Sequence, residues 1–446
     1  MQKSLFIKAA LIAAIFVLLQ VPLKMIDGIV AERWGRQQAV VQELASQSYG
    51  KQTLAGPILS IPYIEEYEET ALEDRARKVE TRRIYRTARF FALNSNMISN
   101  ATVETKSRGL FKARVFNWQG LARGEFVFDG KPGIERRQLD SRIVWGKPSL
   151  AILLSDPRGL IGSPKLTWDG KETSVERGSG ISTVSSGLHA TLPEFDPAKP
   201  QRVGYTLDIG VHGIESLSLV PIAADDQITL RSNWPHPSFG GQFLPLPELQ
   251  RLSKDGFEAQ WKVSALASNA QQQVLTLSDA KPSCGVCADR IEVRFIEPID
   301  IYSLSDRALK YGFLFVGLTF ACFFLFEVLK ALPIHPAQYF LVGLALVTFF
   351  LLLIGLSEHV AFWIAYAIAS SACVALLGAY LATVLRGVAR GLGFAVVLTA
   401  LYSALYGLLV SEDNALLLGS LLVFALIAAV MFMTRRVDWY ALRSRA

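Results

Sequence analysis

The sequence predicts a multi-pass membrane protein: six transmembrane α-helices, one N-terminal and five C-terminal, with a large β-rich domain inserted between the first and the second and exposed outside the membrane. Three observations predict it. Apolar residues are segregated at the two ends, in one run near Leu5–Ile26 and five more between Tyr311 and Thr434. The roughly 280 residues between them are polar and charged, enough for one or two water-facing domains. Lys and Arg gather at alternate ends of the apolar runs.

Composition agrees once it is divided. The chain is 51% hydrophobic with mean hydropathy +0.32, a blend of membrane bundle and ordinary soluble region. The net charge of +6 is no nucleic-acid signature, because that partner requires Lys and Arg gathered on one soluble face. Here many of them flank apolar spans, so the expected partner is the lipid bilayer and not nucleic acid.

A spanning helix needs about 20 mostly apolar residues. The first run has Lys3 ahead of it, Lys8 in its first turn and Lys24 near its far end. A cleaved signal peptide is the competing reading, but no small-x-small cleavage site follows. Ile29, Val30, Trp34, Val41 and Leu44 instead continue an amphipathic helix. Residues 1–26 therefore read as an uncleaved signal anchor, with Pro22 placed to kink its outer end. The later runs are Tyr311–Leu329, Ala337–Leu356, Val360–Leu385, Gly391–Val410 and Ala415–Thr434, a five-helix bundle over 309–434 followed by a basic tail over 435–446.

Orientation follows from the short loops. With the N-terminus in the cytoplasm, Lys330, Arg386, Arg390 and the tail arginines Arg435, Arg436, Arg443 and Arg445 all fall inside. The loops Ser357–His359 and Ser411–Asn414 fall outside and hold no Lys or Arg. The reverse orientation violates the rule at every short loop.

The outer region, 27–308, reads as short strands punctuated by Gly, Pro, Asn and Asp, a sandwich or barrel. Ile58–Ile64, Arg83–Phe91, Gly124–Phe128, Arg142–Trp145, Arg202–Ile209, Gln227–Leu230, Gly256–Val263 and Arg290–Ile296 are the strands, and Val40–Ser48 is helical. Glu65–Arg83, dense in charges of both signs, reads as a solvated loop or hairpin tip. Cys284 and Cys287 fit a small local disulfide in an oxidising compartment. Redox catalysis would want a βαβ context, and a metal site would want more ligands.

One stretch is distinctive: Ser232-Asn233-Trp234-Pro235-His236-Pro237-Ser238-Phe239, followed by Gly241, Phe243, Leu244 and Pro245. Prolines on both sides of His236 exclude a helix interior, so this is a rigid aromatic turn. Together with Asp306–Tyr311, Phe326-Glu327, His335–Tyr339, Leu356–His359 and Asp438–Tyr440, it makes the chain resemble the inner-membrane protein CreD family, in order and over essentially its whole length. The resemblance implies a Gram-negative inner-membrane protein tied to cell-envelope integrity, controlled in its best-known members by a two-component system. The outer domain is then periplasmic. The resemblance brings no catalytic residue and no cofactor. The Cys284–Cys287 pair departs from its pattern.

Ionisable groups near lipid are functional hypotheses by default. Asp306, Arg307 and Lys310 open the second span, Glu358 and His359 end the third, and Glu412 and Asp413 join the fifth to the sixth. All should lie at one membrane depth, so a polar collar is expected where domain meets bundle. Separate interfacial charges are the alternative. His359 beside Glu358 could sense protons, against the plainer reading of a polar helix end. Glu327 and Lys330, at i,i+3 spacing, read as a simple ion pair. His236 has Ser232, Ser238, Asp225 and Asp226 near it in sequence, but no nucleophile-elbow or HExxH pattern accompanies it. Asn233, Trp234, His236 and Phe239 read better as a packing turn or partner contact. The expected function is a non-enzymatic envelope protein whose outer domain binds a periplasmic or envelope partner. A transporter or lipid-handling protein with a cavity in the bundle is the alternative. No cofactor or metal is expected, and the oligomeric state is open.

Overall fold

The computed structural model describes residues 2–73, 76–138, 140–181, 184–276, 289–296, 301–330, 334–385, 387–411 and 415–435. Contacts divide the chain into two units: Met1–Gln38 with Ile299–Ala446, and Ala39–Pro298. Cys284, Cys287, Glu412 and Asp413 lie outside the described residues.

In chain order, helix α1 is Gln2–Gln47. The strands β1 Gln52–Glu73, β2 Ala76–Phe90, β3 Asn94–Arg108 and β4 Phe111–Phe128 are long. Shorter strands follow: β5 Arg142–Trp145, β6 Ser149–Leu154, β7 Lys165–Trp168, β8 Lys171–Thr173, β9 Glu176–Arg177 and β10 Gly187–Thr191. Then come β11 Gln201–Ile214, β12 Ser216–Val220, β13 Asp225–Ser232, β14 Pro237–Gly241, β15 Arg251–Ser253, β16 Gly256–Ser264, helix α2 Ala270–Thr276 and β17 Ile291–Phe295. Helices α3 Ile301–Lys330, α4 Pro336–Ser357, α5 Phe362–Val384, α6 Val388–Val410 and α7 Ala415–Thr434 complete the chain.

The unit Ala39–Pro298 is a β-sandwich. Among the described residues, one sheet has nine strands, in the order β14-β17-β12-β1-β6-β10-β9 with β2 and β5 also on β1. The other has eight, β15-β16-β13-β3-β4-β11-β7-β8. Inward residues of both sheets form one core, including Leu59, Ile152 and Val293 from the first and Phe116, Trp118, Leu230 and Trp261 from the second. β3 shows the strict alternation of a half-exposed strand. β6 and β12 are buried on both faces, because the far side of their sheet is covered by Ile181, Val184, Ile222 and the α2 residues Ala270 and Val274.

The strands read from sequence are all found within these elements. Glu65–Arg83, expected as a solvated loop or hairpin tip, forms the two arms of one hairpin, β1 and β2, in continuous antiparallel register. Arg83 stands directly opposite Glu66 at 2.9 Å, and Arg82 reaches diagonally to Glu69 at 3.1 Å. Opposite-charge pairs directly across two strands favour the pairing.

In the other unit, α1, α3, α4, α5 and α6 are long and apolar enough to cross a membrane among the described residues. The apolar helix α7 occupies the sixth expected run. Phe16 of α1 packs on Phe313 and Phe320 of α3, and Leu19 is buried where Gly343 of α4 leaves no Cβ to meet it. Phe315, Phe349 and Tyr402 form an aromatic centre with 4.6 Å ring separations, and the Tyr366 hydroxyl donates to the Tyr402 carbonyl at 2.7 Å.

Candidate functional site

The turn around His236 links the two sheets, leaving β13 in one and entering β14 in the other. Asn233 acts as a surrogate strand residue: its Oδ1 accepts from the Val103 N–H at 2.7 Å and its Nδ2 donates to the Val103 carbonyl at 3.2 Å. The Trp234 indole N–H donates to the carbonyls of His236 and Ile296, both at 3.0 Å, and the Arg114 guanidinium lies 5.3 Å from its ring. Phe239, on β14, meets Phe257 and Trp261 of β16 edge-on. Three of the four candidate contact residues thus hold the sandwich together. Asn233 and His236 are exposed, and among the described residues the His236 ring makes no hydrogen bond or ion pair.

A second cluster fixes the end of α1. Asp156 accepts from the Gly50 N–H at 2.8 Å and from Arg158, whose guanidinium donates to the last-turn carbonyls of Ala45 and Ser46. A cation on those carbonyls satisfies orphan acceptors and opposes the helix dipole. The paired Arg158 guanidinium, with the two backbone N–H groups, holds the Asp156 carboxyl below its ordinary range. Asp156→Ala should cost about 2 kcal/mol, because it strands the Gly50 donor and releases Arg158. Chemical denaturation reads this as a lower midpoint at unchanged slope.

Glu65 anchors a loop. It is fully buried, accepting from the Arg137 N–H at 2.6 Å and the Ser141 hydroxyl at 2.9 Å, with Arg86 at 3.6 Å. Burial pushes its carboxyl up, but those donors outweigh it and the net shift is downward.

In the membrane unit, Glu412 and Asp413 of the expected collar lie outside the described residues, and the others are placed as follows. Lys310 pairs with Asp306 one turn away at 2.6 Å. Glu358 closes α4 and faces Arg33 of α1 at 3.6 Å. His359 is exposed just beyond, and Arg307 is partly buried. Sequence reasoning missed Arg33, which sits on the amphipathic continuation of the first helix.

The side chain of Lys330, expected to pair with Glu327 at i,i+3, lies outside those described. Glu327 has tertiary partners: Lys8 of α1, which donates to Oε1, and the Tyr339 hydroxyl of α4, which donates to Oε2 at 2.7 Å. Glu327 is only 8% exposed and Tyr339 is fully buried, so this carboxylate faces the interior between helices. The available signal was Lys8 itself, a cation inside an apolar run that requires a partner. His335 caps α4 in a capping box with Gln338.

These helices and motifs agree with the comparisons with known proteins. A family model described as "Inner membrane protein CreD" matches residues 4–440. Inner membrane protein CreD of Escherichia coli (strain K12) is 34% identical over 448 aligned positions, which cover 99% of this chain and 95% of that protein. The chain belongs to the CreD family. It is accordingly a multi-pass inner-membrane protein set in a lipid bilayer. The CreD-type motifs have visible structural work: the Trp234 turn joins the sheets, Glu327 ties three helices, and His335-Pro336 starts α4.

Proposed function

We propose that this CreD-family protein is a non-enzymatic envelope protein with six spans, both termini in the cytoplasm, and a periplasmic sandwich that binds an envelope component or partner. In this role it supports envelope integrity or the envelope stress response. The observation that carries the reading is the sandwich: a large unit with its own continuous core, set in the sequence between an anchor helix and a bundle. The Lys and Arg distribution supports the orientation.

The second reading, a transporter or lipid-handling protein, has one observation in its favour: a groove of about 580 Å³ between α5 and α6, lined by Tyr366, Ser370, Tyr402, Ser403 and Tyr406. Its Ser370 and Ser403 hydroxyls donate to carbonyls of their own helices, which leaves few donors for a polar cargo.

Photo-crosslinking from exposed sandwich positions in intact cells tests the proposal. Capture of a periplasmic protein, glycan or lipid supports it. Capture of cytoplasmic components alone reverses the orientation, and capture of nothing above background overturns the binding role.

A further inference from the structure

We propose that the outer face of the eight-stranded sheet is a docking platform for a neutral, polyhydroxylated glycan. This rests on the reading that the sandwich binds an envelope component, and it names the chemistry of that component.

Strands β13, β3 and β4 lie side by side, and their register sets five amide side chains on one surface. Asn96 is beside Gln227, Asn100 is opposite Gln119, and Asn117 is opposite Thr102. All five amides are exposed. Among the described residues, none of them spends its side chain on a hydrogen bond within the protein. Each offers an acceptor and two donors, the same dual capacity as a sugar hydroxyl. Strand geometry spaces them by about 4.8 Å across the sheet and about 6.8 Å along it.

This arrangement runs against local preference. Asn is depleted in strands, yet β3 places Asn94, Asn96 and Asn100 at outward positions where Thr or Val would suit the strand better. Asn94 is tied to Glu125 at 3.0 Å, while the other two are not used by the fold. A local cost without a folding return marks a functional surface. At the centre of the amides, Ile98 is 51% exposed and stands opposite Leu121, an apolar spot for the C–H face of a sugar ring.

Charge selects among occupants. Arg231 is neutralised by Glu258 at 3.3 Å, and the cations beside the amides, Arg123 opposite Asn96 and Lys262 opposite Gln227, stand at the two ends of one row, about 14 Å apart. A phosphate-rich lipid headgroup or an anionic polymer would call for a cluster of cations instead. A neutral saccharide needs none.

The test uses the full chain in detergent or nanodiscs, titrated with N-acetylglucosamine tetrasaccharide and with cellotetraose by ligand-observed NMR. At least one should bind in the millimolar range or tighter. The triple variant N96T/N100T/Q119T should weaken that binding about tenfold or more, which is about 1.4 kcal/mol. Its thermal midpoint should hold or rise, because Thr favours strands. Absence of binding to both sugars, or equal binding by the variant, overturns the proposal. Crosslinkers at position 100, on this face, and at the exposed Tyr85 of the other sheet separate the two claims. Glycan captured from position 100 supports both. Protein or lipid captured from position 85 alone overturns the glycan platform and keeps the envelope-binding role. Nothing captured from either overturns both.

Discussion

Replacing Lys8 with Met should destabilise the membrane unit by about 3–5 kcal/mol, the usual penalty for breaking a buried ion pair and leaving one charge behind. The remaining Glu327 carboxylate is 8% exposed and, among the described side chains, would keep only the Tyr339 hydroxyl as donor. Glu327→Leu should cost a similar amount, with Lys8 and Tyr339 the stranded groups. The double variant K8M/E327L should recover most of the loss, because apolar groups of similar volume remove both desolvation penalties together. Tyr339→Phe should cost about 1–3 kcal/mol by leaving one carboxylate oxygen unpaired. Denaturant titration of the purified protein in mixed micelles measures all four. If the double variant is no better than the singles, Lys8 and Glu327 are not energetically coupled and the account fails. The contact also explains why the first helix is more than an anchor. Lys8 reaches Glu327 and Arg33 reaches Glu358, at points about 38 Å apart along a helix, so α1 is tied to α3 near one end and to α4 near the other.

What was legible in the sequence followed from period and length. Ile58–Ile64, Arg142–Trp145 and Gly256–Val263 alternate or run apolar in ways only strands accommodate, and the spans exceed the bilayer length. What was not legible depended on partners far along the chain. The parallel pairing of β1 with β12 joins Leu54 to Leu219, and no local pattern encodes it. The charges of Glu65–Arg83 read as a solvated loop or hairpin tip, and they do not say how far the ladder runs or that Glu66 and Arg83 are neighbours across it. Glu327 and Lys330 have the right helical spacing, but spacing cannot say which face is buried or that Lys8, far along the chain, meets Glu327. The candidate turn was found by its composition. Its work, with Asn233 holding Val103 and Trp234 holding Ile296, required β3 and β17 to be in place.

Asp226→Asn should flatten the dependence of stability on pH between about 4 and 7, by about 4 kcal/mol over that window. Asp226 begins the inward face of β13, is 6% exposed, and accepts the Ala223 N–H at 2.8 Å, closing the passage from β12 into β13. Burial pushes its carboxyl from 3.8 up to about 7; the Ala223 and Ser95 donors pull it partly back, and neighbouring Asp225 pushes it up further. The sign follows from proton counting. Between those two values the folded protein keeps a proton that the unfolded chain has released, so rising pH favours unfolding. The stabilisation is complete at acid pH and gone above neutrality, where a bare carboxylate would be buried. Asn keeps the acceptor for Ala223 and never ionises, so the variant should gain on the parent as pH rises, with the largest advantage near pH 8. Thermal midpoints measured from pH 4 to 8 decide it. Parallel curves for parent and variant would show that Asp226 is already ionised throughout, and that the donors around it outweigh its burial.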